Sequence, residues 1–280
     1  MNWFFPLYLF LEVCAILITA WLIIYAWRHR KSRSAMIFGL MMLSLIIWSL
    51  TDLFFWISQD TLTKIFWIKV QYIGIVSLPL TFFLFALQYT NRDQWLSLKW
   101  IAILGIIPLL TLLIAWTNQM HHLLWADMRF YPAGDWVAVE MIYGPWILVH
   151  SIYSYLLIFL GSLMILLAVY RSIHVYRGQG ITILIGVVAP WLSNIYYLFK
   201  LGPEPHIDLT TIAFTLTGMV LAWSFFRYKL LDVMPVARHI LFDRMDDGIV
   251  VLDAQRRVID MNPSAEAIIQ LPQQDCLGKR

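Results

Sequence analysis

Four ionisable side chains fall inside long apolar runs of this sequence: Glu12, Asp52, Lys69 and His150. A charge at such a position is costly unless another charge, a hydrogen-bonding group or water stabilises it, so each is a candidate functional group. Carboxylate, ammonium and imidazole groups in one layer could hold a small ligand through charge-assisted hydrogen bonds. The chemistry that these residue types favour is therefore binding.

Asp52 and Lys69 lie at nearly equal distances from the middle of the polar segment SQDTLTK, residues 58–64. If the flanking runs are antiparallel helices, both side chains reach one depth and can form an ion pair, which either fixes helix register or binds a ligand. Nearby aromatic residues could form the walls of a site or an interfacial aromatic belt. The candidate ligand-binding residues at this depth are Asp52, Trp67, Lys69, Gln71, Tyr72, His150, Tyr153 and Asn194.

Seven apolar runs are long enough to place these residues inside a bilayer. Hydrophobic residues make up 61% of the chain and charged residues only 13%, a proportion that one soluble core could not bury. The sequence therefore predicts an all-α membrane protein with a bundle of seven transmembrane helices. The spans are expected at residues 5–27, 35–57, 65–89, 100–117, 145–170, 180–200 and 209–226.

Basic residues are concentrated on alternate connections between the runs. One set of connections carries ten of them, and the other carries three: Lys64, Arg129 and Lys200. Because positively charged loops stay in the cytoplasm, this bias places the N-terminus outside and everything after Phe226 inside. The first run lacks the basic start and cleavage site of a signal peptide, so it is expected to remain as a helix. The four ionisable residues then fall in the outer halves of their spans, which predicts a cavity open to the outside.

Other classes of membrane protein fit this sequence less well. It lacks the paired, interrupted repeats of many transporters, and the run 209–226 has no lysine for a retinal Schiff base. The connection 118–144 contains adjacent histidines, His121 and His122, but this spacing is poor for zinc, so no metal or other cofactor is expected. Its YPAGDW segment, residues 131–136, predicts a hairpin turn in a small lid over the helices. No Ser-His-Asp set or glycine-rich phosphate loop is compatible with the predicted topology, which disfavours an intramembrane enzyme.

After the last run, the pattern changes to that of a soluble domain. Apolar residues spaced by four, three and four predict a helix over 227–245 that packs against a partner helix or lies on the bilayer. DDGIVVLD, AQR and RVIDMN predict a strand, a tight turn and a second strand. NPSAEAIIQL then predicts a helix capped by Asn262, with Pro263 in its first turn and Pro272 after its end. The apolar seam of the linker consists of Leu230, Met234, Ala237 and Leu241.

A strand, a turn, a strand and a helix opened by Asn-Pro resemble the start of a PAS sensor domain. Together with four further segments, this opening resembles the N-terminal seven-helix sensor region of bacterial and archaeal histidine kinases. The resemblance covers essentially the whole chain, with a sensor region at 1–226, a signalling helix at 227–245 and an incomplete cytoplasmic α+β PAS start at 246–280. The four segments are WIKVQYIGIVSLPLTFFLFALQYT (67–90), TNQMHHLLW (117–125), YGPWILVHSIYSYLL (143–157) and RYKLLDVMPVARHILFDRMDDGIVVLD (227–253).

The resemblance implies a receptor in the inner membrane of a prokaryote that detects a small outside or membrane-borne ligand. It implies signalling through the linker helix to PAS and a histidine kinase core, with a GGDEF diguanylate cyclase as the alternative output. The implied partners are the unknown ligand, the lipid bilayer, a second copy of the full-length chain and, for a kinase, a response regulator. The net charge of +3 is small, and most of the basic residues lie in short connections, so no nucleic acid partner is expected.

Overall fold

The protein, described by a computed structural model, forms two compact units, Met1–Leu231 and Asp232–Arg280. The structure describes residues 4–133, 136–171, 186, 188–190, 192–194, 196, 209–228, 242, 245–252, 256, 258–272 and 276.

Long apolar helices and one β-hairpin make up the first unit. Within the described residues, five helices are long and apolar enough to cross a membrane, and a further helix contains a shorter apolar stretch, Thr210–Val220. These helices lie close to six of the predicted runs, whereas most of the run 180–200 lies outside the described residues. The elements are α1 (Phe4–Arg28), α2 (Arg33–Ile57), α3 (Thr61–Tyr89), a 3-10 turn (Asp93–Leu96), α4 (Leu98–His121), β1 (Trp125–Ala133), β2 (Trp136–Tyr143), α5 (Trp146–Arg171), α6 (helical positions 186, 188–190, 192–194 and 196) and α7 (Thr210–Tyr228).

The helices α2 and α3 form the most extensive helix pair in the described part of the chain. A glycine permits their close approach, because a Cβ atom at Gly74 would lie 2.5 Å from the Ser44 carbonyl oxygen and 2.7 Å from the Trp48 nitrogen. The helix α1 packs on α2 and α7, and α5 packs on α3. Since lipid tails are as apolar as leucine, such packing and polar contacts between helices stabilise a membrane bundle more than hydrophobic burial does.

Two apolar clusters fill the first unit, one towards each end of the helices. The cluster next to β1 and β2, at what is called here the hairpin end, includes Tyr8, Trp56 and Trp125. The cluster at the opposite end includes Phe38 and Phe85. The functional side chains discussed below lie at or near the hairpin end.

The strands β1 and β2 pair antiparallel, with Ala133 opposite Trp136. This pairing confirms the hairpin predicted from YPAGDW, although residues 134–135 themselves lie outside the described residues. Where β2 returns to α5, a Cβ atom at Gly144 would lie 2.3 Å from the Leu123 carbonyl oxygen. A residue without a side chain is therefore required at this crossing.

The second unit contains the predicted strand, strand and helix. The side chain of Asn262 organises them: its Oδ1 accepts from the backbone nitrogens of Ala265 (2.9 Å) and Ile249 (2.8 Å). Its Nδ2 donates to the Asp247 carbonyl oxygen at 2.8 Å. The predicted cap is thus confirmed, and the same amide also ties the strands to the helix. The elements are β3 (Val250–Leu252), antiparallel to β4 (Val258–Met261), and α8 (Pro263–Ile269).

Candidate functional site

A cavity of about 140 Å³ lies between α2, α3, α5, α6 and α7, next to β2. Three of the predicted ligand-binding residues, Tyr72, His150 and Asn194, are part of its wall. The rest of the wall is largely apolar or aromatic. The described lining residues are Trp48, Tyr72, Ile75, Leu78, Pro79, Tyr143, Ile147, His150, Ser151, Ser154, Tyr155, Ile158, Pro190, Asn194, Thr210 and Phe214.

The polar side of the cavity is a strip on α5, formed by His150, Ser151, Ser154 and Tyr155. Residues four apart on a helix are neighbours on its surface, so this spacing puts all four side chains on one face. The Tyr155 hydroxyl donates to Asn194 Oδ1 and so connects the strip to α6. We call these four α5 residues the polar strip.

Two atoms of the polar strip are buried without a hydrogen-bond partner among the described residues: His150 Nδ1 and Ser154 Oγ. His150 is only 6% exposed. Ser162 on the same helix shows the usual alternative, because its hydroxyl donates to the Ile158 carbonyl oxygen at 2.7 Å. Buried polar groups in proteins are normally hydrogen-bonded, so two residues of the cavity wall, His150 and Ser154, have hydrogen-bonding capacity that no described residue uses.

Asp52 belongs to a different polar group, at the hairpin end of α1, α2 and α3. The Tyr8 hydroxyl donates to one oxygen of its carboxylate, and Gln71 Nε2 donates to the other at 2.9 Å. Asp52 is 7% exposed, and it joins three helices. Asp52 and Gln71 are not among the described residues that line the cavity.

The predicted ion pair between Asp52 and Lys69 is wrong. Lys69 Nζ instead donates to the Trp116 carbonyl oxygen of α4, at 3.3 Å, in an exposed position. Two residues along a helix correspond to a rotation of about 200°. Because Gln71 points towards α2, Lys69 must point away from it. The equal depth that the sequence indicates does not determine which side of the helix a residue occupies.

Lys64, which the sequence predicts to lie in a connection, is buried near Asp52. The helix α3 begins at Thr61, since the Asp60 side chain caps it, and Lys64 therefore lies inside the helix. Lys64 is fully buried, its Nζ donates to the Phe55 carbonyl oxygen at 2.7 Å, and its charge interacts with that of Asp52. An aspartate directly before an apolar run is a helix-start signal and could have identified this position.

Glu12 connects α1 to α7. The Thr211 hydroxyl donates to Glu12 Oε2 at 2.9 Å, and both residues are buried. The preceding residue, Thr210, lines the cavity. The first turn of α7 therefore contacts the cavity on one side and a buried carboxylate on another.

Residues 11–235 match the family described as the N-terminal 7TM region of histidine kinase. The chain belongs to this family. Residues 242–280 match the PAS fold, in agreement with the strands and helix of the second unit. A search of curated proteins finds no match. The resemblance drawn from the sequence is confirmed: this is a membrane protein with a histidine kinase 7TM region followed by a PAS match.

Two other predicted ligand-binding residues of this 7TM region lie elsewhere. Trp67 stacks on Phe54 with ring centroids 4.7 Å apart. The Tyr153 hydroxyl donates to the Leu104 carbonyl oxygen of α4. Neither aromatic residue is among the described residues that line the cavity. The predicted linker residues Leu230, Met234, Ala237 and Leu241 lie outside the described residues.

The TNQMHHLLW segment of the 7TM region fixes the hairpin to α4. Asn118 Oδ1 accepts from the backbone nitrogens of Leu124 (2.9 Å) and Trp125 (3.1 Å), and its Nδ2 donates to the Trp125 carbonyl oxygen at 2.8 Å. Both ring nitrogens of His121 are also hydrogen-bonded within this segment. These polar groups order the hairpin.

Proposed function

We propose that this 7TM region is the sensor of a prokaryotic receptor, which binds a small ligand in the cavity and controls a histidine kinase. The observation that carries the proposal is the pair of buried atoms without described partners, His150 Nδ1 and Ser154 Oγ, in a cavity where five helices meet. Such an atom costs about 1–3 kcal/mol, and a hydrogen bond from a bound molecule would offset that cost. Tyr72, His150 and Asn194 are the proposed ligand contacts, whereas Asp52 and Gln71 hold the helices.

The proposed signal leaves through α7. Thr210 lines the cavity and Thr211 bonds to Glu12 on α1, so a bound molecule can favour one position of this helix over another. A ligand shifts such an equilibrium only by its difference in affinity for the two arrangements. The linker helix, with its seam of Leu230, Met234, Ala237 and Leu241, then transmits the change to PAS in a homodimer. The family description favours a kinase over a cyclase as the output, with a response regulator as its partner.

The proposed topology has seven spans in the inner membrane, with the N-terminus outside. In the sequence, the basic residues of the predicted connections divide ten against three, which supports this orientation. A reporter that folds only in the cytoplasm should be active when fused after Lys229 and silent when fused near Gly134. The reverse pattern would overturn the orientation.

The function is tested by phosphoryl transfer to the response regulator in membranes that contain the full-length protein. The His150→Phe variant should lose the response to stimulus, whereas Ser162→Ala, on the same helix but outside the cavity, should keep it. An Ala237→Asp, Leu241→Asp double variant should uncouple output from stimulus because charges oppose packing of the seam. A normal response from His150→Phe would move the site from the cavity to the hairpin.

A further inference from the structure

We propose that the ligand of this cavity is a neutral molecule the size of one aromatic ring, with a hydroxyl group that pairs with His150 and Ser154. The inference rests on the proposed sensor function, because it assigns a chemical class to the ligand of the same site. It follows from the size of the cavity, from the charge of its wall and from the position of its polar atoms.

The volume of the cavity sets the size of the ligand. At about 140 Å³, it is close to an engineered apolar cavity of roughly 150 Å³ that binds benzene. Its apolar wall includes Trp48 and Phe214, whose ring centroids are 6.1 Å apart, together with Ile75 and Pro79. A single aromatic ring matches this volume and these surfaces.

The wall also determines the charge of the ligand. The described lining residues include no carboxylate, ammonium or guanidinium group. Against the described part of the wall, a charged ligand would leave water without gaining an opposite charge, which is strongly unfavourable. The charged residues Asp52 and Lys64 bond elsewhere, to Gln71 and the Phe55 carbonyl oxygen. A neutral ligand is the class that this environment accepts.

A hydroxyl is the polar group that matches the strip. Depending on its tautomer, the Nδ1 atom of a neutral histidine either donates or accepts, and a serine hydroxyl can do both. A ligand hydroxyl can complement either arrangement, because it also donates and accepts. His150 and Ser154 are four residues apart on α5, which makes their side chains neighbours in the cavity wall. Tyr155 and Asn194 already bond to each other.

Three probes separate size, charge and hydroxyl pairing: phenol, toluene and benzoate. Their binding to the 280-residue chain in detergent is measured by isothermal titration calorimetry. The variants are His150→Phe, Ser154→Ala and the control Ser162→Ala, whose hydroxyl bonds to its own helix. Partition into detergent is the same for all variants, so differences between them report the cavity.

Phenol should bind to the wild type and to Ser162→Ala with equal affinity. It should bind about three- to tenfold more weakly to His150→Phe and to Ser154→Ala, which is the effect expected for one lost hydrogen bond. Toluene affinity should be insensitive to these two substitutions, and benzoate should bind at least about tenfold more weakly than phenol. A Ser154→Leu variant, which fills the cavity, should abolish binding of phenol and toluene alike.

Three results would overturn the proposed ligand class. They are equal phenol affinity in all variants, tighter binding of benzoate than of phenol, and an occupant identified as a lipid tail or as water alone. Failure of this inference is distinguishable from failure of the sensor function. If phenol does not bind but phosphoryl transfer by the full-length protein still depends on His150, the ligand class is wrong and the sensor function stands. If phenol binds as described and no ring alcohol that fits the cavity changes output, the binding site stands and the sensor function is wrong.

Discussion

Two buried polar regions of the 7TM bundle use their hydrogen-bonding groups differently. At the hairpin end, Asp52 accepts from Tyr8 and Gln71, and Lys64 donates to a backbone carbonyl. We call these four residues the carboxylate layer. In the polar strip of α5, His150 Nδ1 and Ser154 Oγ are equally buried but have no partner among the described residues. The hydrogen bonds of the carboxylate layer indicate a structural role. The polar strip still has two groups that can form hydrogen bonds with a ligand.

The comparison separates stability from binding. Removing a group that is already bonded leaves its partners buried without bonds, which costs more than the net value of the bonds themselves. Removing a group that has no bond costs little and eliminates a desolvation penalty. Substitutions in the carboxylate layer should therefore lower the free energy of unfolding, whereas substitutions in the polar strip should change ligand affinity instead.

The largest effect is expected from Asp52→Leu. This change leaves the Tyr8 hydroxyl, the Gln71 amide and the Lys64 ammonium without their carboxylate, at a cost of about 2–4 kcal/mol. The free energy of unfolding in detergent, followed by tryptophan fluorescence, measures the loss. Asp52→Asn keeps the shape and an acceptor and should lose less. If Asp52→Leu melts like the wild type, the carboxylate layer is not structural.

The next effect is expected from Asn118→Ala, which removes three hydrogen bonds between α4 and the start of β1. The Leu124 and Trp125 backbone groups then lose their partner, which should destabilise the hairpin by about 1–3 kcal/mol. Hydrogen exchange should rise in residues 125–143 and remain unchanged in α1 and α2. The matched control is Gln119→Ala, at the adjacent exposed position. Equal exchange in the two variants would show that Asn118 does not anchor the hairpin.

A smaller effect tests the corrected pairing of Asp52. A double-mutant cycle between Asp52→Asn and Gln71→Leu should give a coupling energy of about 0.6 kcal/mol, typical for hydrogen bonds between membrane helices. The cycle between Asp52→Asn and Lys69→Gln should give none within error, since Lys69 bonds to α4. A larger coupling energy of Asp52 with Lys69 than with Gln71 would instead support the ion pair predicted from the sequence.

Hydropathy and local signals allowed much of the fold to be predicted. Apolar length places α1 to α5, because a helix that crosses a bilayer must be continuous and apolar. The hairpin and the Asn262 cap follow from short-range turn and capping chemistry, which depends on few residues. These features depend on neighbours in sequence, and a single sequence contains that information.

The candidate site could be predicted only in part. Depth along the spans grouped Tyr72, His150 and Asn194, which do share the cavity. Depth alone could not show that Lys69 points to α4, because the rotation of a helix about its axis depends on its tertiary neighbours. For the same reason, apolar periodicity could not reveal that Ser154 lies beside His150 on the cavity side. The side chain of Lys64 was missed because the connection was predicted too long.

The smallest effect on stability is expected from His150→Phe, and it tests the comparison most directly. Phenylalanine has nearly the same shape as histidine and removes an Nδ1 atom that has no described partner. Without ligand, the variant should unfold within about 1 kcal/mol of the wild type, and it can be slightly more stable because a buried polar atom is lost. The measurement is unfolding free energy in detergent without added ligand.

Gln119→Ala is the control, since Gln119 lies at an exposed position of α4. A loss from His150→Phe as large as that from Asp52→Leu would mean that Nδ1 has a strong structural partner, and the distinction between the two polar regions would fail. A small loss of stability combined with loss of phenol binding is the outcome that a structural role cannot produce. The ring nitrogen would then be buried without a partner among the described residues at a cost to stability, and ligand binding would explain that cost.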